Sequence, residues 1–219
     1  MRVLAIETAT VVCAIGLRDD ATGRDVLRTL DHDRRHTEVL TGGVRAALTE
    51  LGLSAHDLDR VVVDVGPGLF TGLRVGIAAA QAFAAATGAD LVGVSSLDVL
   101  AHAARTVGVT GDVLALVDAR RGELFTRRYD EHGTADEPRV VPPDVVASEL
   151  AGQPVMLVGD GALRYADLLA PVARDIFAID APPVHALLAL GRDAEPGPVA
   201  PLYMRAPDAV ANFSTRDRA

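Results

Sequence analysis

Lysine and tryptophan are absent from the sequence, and only 4% of its 219 residues are aromatic. Because large rings are scarce, alanine, valine and leucine must fill most of the hydrophobic core. The single cysteine, Cys13, excludes an internal disulfide and a zinc site built on cysteines. Its position within an apolar strand pattern indicates a buried structural thiol.

Long hydrophobic runs are missing as well. The apolar segment at the N-terminus is too short for a secretory signal. The alanine-rich stretch from Gly72 to Gly88 is short for a membrane span, and Arg74 and Gln81 interrupt it. We therefore expect a cytoplasmic protein that does not associate with membranes.

Positive charge is in the minority, and the formal net charge is −9. An acidic chain does not bind nucleic acid through its overall charge, because phosphate contacts need a basic patch. If the protein serves an RNA pathway, we expect a partner to hold the RNA. Arginine pairs at 34–35, 120–121 and 127–128 leave a direct contact open.

The composition is that of a globular protein, with 49% hydrophobic and 23% charged residues. The first half follows the pattern β-β-β-α-β-α-β-α, which predicts a mixed sheet with helices on both faces. We expect a first lobe over 1–105 and a smaller second lobe over 106–183. A C-terminal segment at about 184–205 is predicted to pack back on the first lobe, and 206–219 to form a flexible tail.

The most distinctive segment is GPGLFTGLRVG at 66–76, which joins a buried strand to a helix. Gly68, Gly72 and Gly76 recur at every fourth position, and this spacing places the latter two on one helix face. A face without Cβ atoms lets another backbone approach closely. The strip of small residues continues through Ala79 and Ala80.

Three interpretations of this segment compete. A helix that begins after a glycine-rich turn can bind phosphate, but the Walker A lysine and spacing are missing. The glycines can instead pack within the protein's own core. The third interpretation is docking of another protein, which is favoured because Leu69 and Phe70 would otherwise expose apolar groups at the turn.

Two other groups of polar residues are weaker candidates for ligand binding. Glu7, Thr8 and Thr10 follow the first strand, where a carboxylate and hydroxyls could hold magnesium and nucleotide phosphate, although the turn contains no glycine. His32 and His36 have the spacing HxxxH and could share a metal ion if both lay on one helix. No third ligand is evident in the sequence, so no metal site is assigned.

Catalytic motifs are not recognisable in this sequence. It contains no GxSxG, HExxH or CxxC segment, so no catalytic residue is assigned. The segment DARRGELF from Asp118 to Phe125 joins two strands around a glycine turn. Its alternating charges indicate either a solvated hairpin or an ion-pair cluster that lines a cleft between the lobes.

Six segments in order, LAIETAT, HTEVL, GPGLFTGLRVG, GVSSLDVLA, DARRGELF and PLYMR, resemble the TsaB (YeaZ) family of tRNA threonylcarbamoyladenosine biosynthesis proteins. The resemblance covers residues 1–205. It implies a two-lobed α/β fold of the actin/Hsp70/sugar-kinase class, with a mixed sheet and flanking helices in each lobe.

The resemblance also implies a function. Members of the family are non-catalytic partners of TsaD, which binds metal and nucleotide and transfers threonylcarbamoyl to adenosine in tRNA; the ATPase TsaE joins them. ATP and metal are thus expected on the partners, and a homodimer is expected for the isolated chain. By motif match, the implied protein interface consists of Leu69, Phe70, Gly72, Leu73, Gly76, Ala79 and Ala80.

Three residues depart from the family pattern. Leu69 stands where serine is common and makes the turn more apolar. Glu7 replaces the usual aspartate and weakens a nucleotide site on the first strand, and Phe125 replaces a common tyrosine. A stand-alone ATP-dependent enzyme of the same fold, or more remotely a metallopeptidase, are the alternative functions.

Overall fold

Two five-stranded mixed β-sheets form the framework of the computed structural model, which describes residues 1–31 and 36–205. The strands within these ranges are β1 (Arg2–Glu7), β2 (Cys13–Asp19), β3 (Arg24–Asp31), β4 (Arg60–Gly66), β5 (Asp90–Ser95), β6 (Val113–Arg120), β7 (Glu123–Tyr129), β8 (Arg139–Val141), β9 (Met156–Val158) and β10 (Asp175–Phe177). The helices are α1 (His36–Leu51), α2 (Phe70–Thr87), α3 (Ser96–Thr106), α4 (Pro143–Leu150), α5 (Asp160–Arg164), α6 (Ala166–Leu169) and α7 (Val184–Asp193).

The first sheet has the strand order β3-β2-β1-β4-β5. Short connections pair β1 with β2 and β2 with β3 in antiparallel fashion, whereas helical crossovers make β4 and β5 parallel to β1. At the centre of the sheet, Ile6 pairs with Ile15 on one side and with Val63 on the other. The long central strands are therefore held on both edges.

Alternation along β1 gives this sheet two buried faces. Leu4 and Ile6 belong to a core cluster with residues of α1 and α2. Val3 and Ala5 point to the opposite face, where α7 covers them. Both faces are thus closed by helices, as the pattern of the first half predicted.

The second sheet repeats the topology of the first. Its order is β10-β9-β6-β7-β8, in which β6, β7 and β8 correspond to β1, β2 and β3. The β6–β7 and β7–β8 pairs are antiparallel, and β9 and β10 run parallel to β6. Two mixed sheets with flanking helices confirm the predicted two-lobed fold of the actin/Hsp70/sugar-kinase class.

Helix α3 packs on both lobes. Leu97 and Leu100 of α3 pack into the core of the second sheet, while Val99 and Ala103 pack with α7. The boundary predicted after residue 105 assigned α3 to the first lobe. Because its two faces serve two cores, α3 belongs to the junction between the lobes.

Several elements of the second lobe are too short to be recognised in the sequence. Helix α5 has five residues, and Gly159, with φ 112°, directly precedes it. Strand β10 has three residues, too few for a periodic pattern to show. In the part of the chain that the structure describes, no helix meets the length and hydropathy needed to cross a bilayer. The segment 206–219, predicted as a flexible tail, lies outside the described residues.

Candidate protein-docking site

The glycine segment makes a sharp passage from β4 into α2. The Leu69 amide donates a hydrogen bond to the carbonyl oxygen of Ala9, at 2.7 Å, and Leu69 occupies the N-cap of α2 without a side-chain cap. A Cβ atom at Gly68 would overlap that same carbonyl. The helix therefore begins pressed against the turn that follows β1. The side chain of its first residue, Phe70, has no group that could donate a hydrogen bond to a phosphate.

The glycine face of α2 points inward, toward β1. A Cβ atom at Gly76 would overlap Thr8 Oγ1, and the same hydroxyl donates a buried hydrogen bond to the carbonyl oxygen of Gly72, at 2.9 Å. The glycines let the helix approach the strand closely enough for this bond to form. The core-packing interpretation therefore explains the glycine spacing, and docking of a partner by this segment stays a prediction that depends on its exposed residues.

The seven residues assigned to a protein interface are therefore not equivalent. Phe70 is 52% exposed, and Leu69 and Ala79 are half-buried. The other four are buried within the chain itself; they are Gly72, Leu73, Gly76 and Ala80. Most of the surface that another molecule can touch therefore belongs to the first three.

The solvent-facing side of α2 is unusual for a surface helix. Such a face normally carries several charged residues. Here Arg74 is the one charged residue in the 18-residue helix, and the exposed positions on its later turns are Ala78, Gln81, Ala82, Ala85 and Ala86. An outer face with little charge indicates a surface that is covered in the working state.

A groove runs along this face between α1 and α2. Its volume is about 460 Å³. Leu40 and Thr41 of α1 form one wall, and residues of α2 from Phe70 to Ala79 form the other. We call this groove and the outer side of α2 the docking face.

Phe70 and Arg74 form an ordered group with Tyr203 at one end of the docking face. The Arg74 guanidinium lies 3.7 Å from the centre of the Phe70 ring. The rings of Phe70 and Tyr203 stack with centroids 5.4 Å apart, and Arg74 Nε donates a 2.9 Å hydrogen bond to the Tyr203 hydroxyl. At protein interfaces, aromatic and arginine side chains held in fixed positions often contribute most of the binding energy.

Glu7, Thr8 and Thr10, the nucleotide candidates of the first strand, are buried. Their exposed fractions are 0%, 0% and 6%. Glu7 Oε1 accepts a hydrogen bond from the Ala9 amide, and Thr10 Oγ1 accepts one from Val12. Glu7 and Thr8 therefore face the protein interior, whereas Thr10 also borders a small cleft shared with residues of β6. Nucleotide binding at this strand end stays a prediction.

A buried carboxyl pair occupies the ends of β1 and β4. Asp64 Oδ1 accepts hydrogen bonds from the Gly66 amide and the Ser96 hydroxyl. The second oxygens, Glu7 Oε2 and Asp64 Oδ2, have no other donor in the described part of the chain. Burial, and then the neighbouring Asp64, raise the pKa of Glu7 well above its ordinary value, and burial also raises the pKa of Asp64. Both directions favour a proton on this pair, which we assign to Glu7 because its pKa is raised further.

This proton makes stability depend on pH. The pKa of Glu7 is raised in the folded state. Protonated Glu7 therefore contributes fully to the free energy of unfolding below the ordinary glutamate pKa, and this contribution is lost as pH rises through the pKa of the folded state. We expect Glu7→Gln to remove this loss, since the amide can accept from Ala9 and donate to Asp64. In urea titrations, the variant should be more stable than the parent at pH 8, with a flatter pH profile.

The matched control is Glu137→Gln, which changes an exposed glutamate. Its pH profile should follow that of the parent protein. If the stability of Glu7→Gln instead falls with rising pH as steeply as that of the parent, the proton on Glu7 is not the cause of the pH dependence.

The charged hairpin between β6 and β7 borders the space between the lobes. The Asp118 side chain is 2% exposed and pairs with Arg120 at 2.9 Å and with Arg164 at 3.4 Å. Glu123 pairs with Arg205. The segment is thus an ion-pair cluster that lines the cleft. Of the HxxxH residues, His36 begins α1 and His32 lies outside the described residues, so their joint role stays a hypothesis.

Comparison with known proteins gives two family names. The model of the family described as "TsaD: tRNA N6-adenosine threonylcarbamoyltransferase" matches residues 31–152. The Escherichia coli "tRNA threonylcarbamoyladenosine biosynthesis protein TsaB" is 32% identical over 226 residues, which cover 94% of this chain and 95% of that protein. The match over nearly the full length of both chains decides between the names. The chain belongs to the TsaB family.

Other TsaB-like matches extend over similar lengths. An uncharacterized protein of Mycobacterium tuberculosis is 39% identical over 210 residues, which cover 94% of this chain and 93% of that protein. The solved structure of YeaZ from Pseudomonas aeruginosa has a TM-score of 0.78 and 28% identity, and covers 92% of this chain and 99% of that one. The resemblance to TsaB seen in the sequence motifs is confirmed.

Proposed function

We propose that this chain is a non-catalytic scaffold subunit of the cytoplasmic complex that transfers threonylcarbamoyl to the adenosine next to the anticodon of tRNA. It acts by forming a heterodimer with TsaD, and TsaE joins the pair. The TsaB relatives are named for the biosynthesis of threonylcarbamoyladenosine, which supports the pathway. ATP and metal are held by the partners, and tRNA is reached through the complex.

The observation that carries this proposal is the outer side of α2. It combines an exposed Phe70 with a nearly uncharged helix surface and an adjoining groove. Burying such a surface against another protein is favourable at about 25 cal/mol per Å² of apolar area. These features of the docking face support the proposal that it forms the interface of a scaffold subunit.

Reconstitution tests the function. Purified TsaD and TsaE from the same organism are supplied with tRNA, ATP and a threonylcarbamoyl donor, with and without this chain. We expect modified adenosine, measured by mass spectrometry of digested tRNA, to accumulate only when the chain is present. Equal accumulation without the chain would contradict the scaffold role.

Self-association is expected to use the same surface. In the absence of TsaD, two copies can bury their docking faces against each other. Sedimentation of the isolated chain should show a dimer, and added TsaD should convert it into the heterodimer. A dimer that persists unchanged beside bound TsaD would place self-association on another surface.

A further inference from the structure

The C-terminal segment 197–205 forms a strap across both lobes. Its first part is tied to the first lobe, where the Gly197 amide donates to Leu91 and the Leu202 amide to Val65, at 3.1 and 2.8 Å. Tyr203 then stacks on Phe70. Arg205 reaches the second lobe, where it pairs with Glu123. The strap thereby lies beside the docking face and spans the cleft.

A cavity of about 700 Å³ lies between the strap and the two lobes. Its lining is mostly apolar and comes from the start of α2, from β6 and β7, and from the strap. The apolar lining residues include Leu69, Leu73, Phe125, Leu202 and Met204. Phe70 and Arg74 line both this cavity and the groove of the docking face. These two side chains therefore lie at the boundary between the hollows, and a partner lying in the groove is next to the cavity.

The arginines of this cavity differ in their partners. Arg120 pairs with Asp118, and Arg205 pairs with Glu123. Arg74 has no ion pair with any residue in the described ranges, and the one hydrogen bond seen from its side chain uses Nε. Its two terminal nitrogens can therefore donate a bidentate pair of hydrogen bonds to a carboxylate of another molecule.

We propose that Arg74 binds a side-chain carboxylate of TsaD, and that an apolar residue beside that carboxylate enters the cavity under the strap. The terminal nitrogens of Arg74, which have no partner in the described ranges, and an apolar cavity directly beside the groove support this occupant. Tyr203 and Phe70 fix the guanidinium before binding, which lowers the ordering cost of the contact. This contact rests on the docking proposed above.

Two substitutions of Arg74 separate charge from packing. Arg74→Met keeps an apolar chain over Phe70 but removes the charge, and Arg74→Lys keeps the charge without the planar fork. We expect Arg74→Met to weaken TsaD binding about 30-fold and Arg74→Lys to retain part of the affinity. The loss for Arg74→Met should shrink as salt rises from about 0.05 to 0.5 M, because screening weakens only the charged contact.

The control is Arg139→Gln, which removes an equal charge from an exposed pair with Glu149 in the second lobe. Its TsaD affinity should stay within about twofold of the parent. All variants are measured by calorimetry against TsaD, and their melting temperatures are compared.

Other outcomes overturn the contact and are distinguishable. If Arg74→Met binds TsaD like the parent while Phe70→Asp does not, docking stands and the carboxylate contact is wrong. If Arg74→Met weakens only self-association, the occupant is a second copy of this chain. If the parent protein itself fails to bind TsaD, the proposed function fails together with the contact.

Discussion

Phe70→Asp is expected to weaken TsaD binding at least about 100-fold, because it places a charge on the docking face and removes the ring that supports Arg74 and Tyr203. The stability of the isolated chain should change by less than about 1 kcal/mol, since the ring is 52% exposed. Calorimetric titration with TsaD, together with thermal unfolding, measures both quantities.

Leu168→Asp is the matched control for this substitution. Leu168 lies on α6 in the second lobe and is 43% exposed, so the chemical change and the exposure are similar. Its TsaD affinity should be that of the parent. Equal losses of TsaD affinity for the two variants would mean that TsaD does not bind specifically to the docking face. Gly72→Arg, which the glycine interpretation suggests as a test, is unsuitable because Gly72 is buried and a charge there would disturb folding.

Gly76→Ala is expected to lower the free energy of unfolding by about 3 kcal/mol. The added Cβ would overlap Thr8 Oγ1, so the helix must move away from β1 and weaken the bond from Thr8 to Gly72. For a protein of this size the melting temperature should fall by about 6–12 °C. Urea and thermal unfolding measure the effect.

Gly42→Ala in α1 is the control. It is also a glycine in a helix, but no described heavy atom lies within 4 Å of the position of its Cβ. Alanine there should raise stability by up to about 1 kcal/mol, because it is the better helix former. If Gly76→Ala keeps the stability of the parent but loses TsaD binding, the glycines contact the partner and the inward packing is wrong.

Much of the fold could be predicted from local patterns. The order predicted for the first half, β-β-β-α-β-α-β-α, agrees with the structure, because apolar alternation and glycine stops mark its strands and helices clearly. Gly52 and Gly88 both adopt left-handed φ, at 70° and 75°, where α1 and α2 end. Helices α5 and α6, with five and four residues, are too short to leave such patterns.

The candidate site was predicted less completely. Glycine spacing shows that Gly72 and Gly76 share a face, but it does not show that Thr8, more than 60 residues earlier, lies against that face. The contact between Arg74 and Tyr203 joins residues 129 positions apart and is equally invisible to periodicity. One signal was available: positions 78, 82, 85 and 86 continue a helix face that carries no charge.

The central claim is that TsaD covers the outer side of α2. A photo-reactive amino acid placed at Ala78, which is exposed on that helix, tests this directly, with the same residue at Leu168 for comparison. Illumination of the complex should cross-link TsaD to position 78 and not to position 168. Cross-linking at position 168 without any at position 78 would contradict the claim.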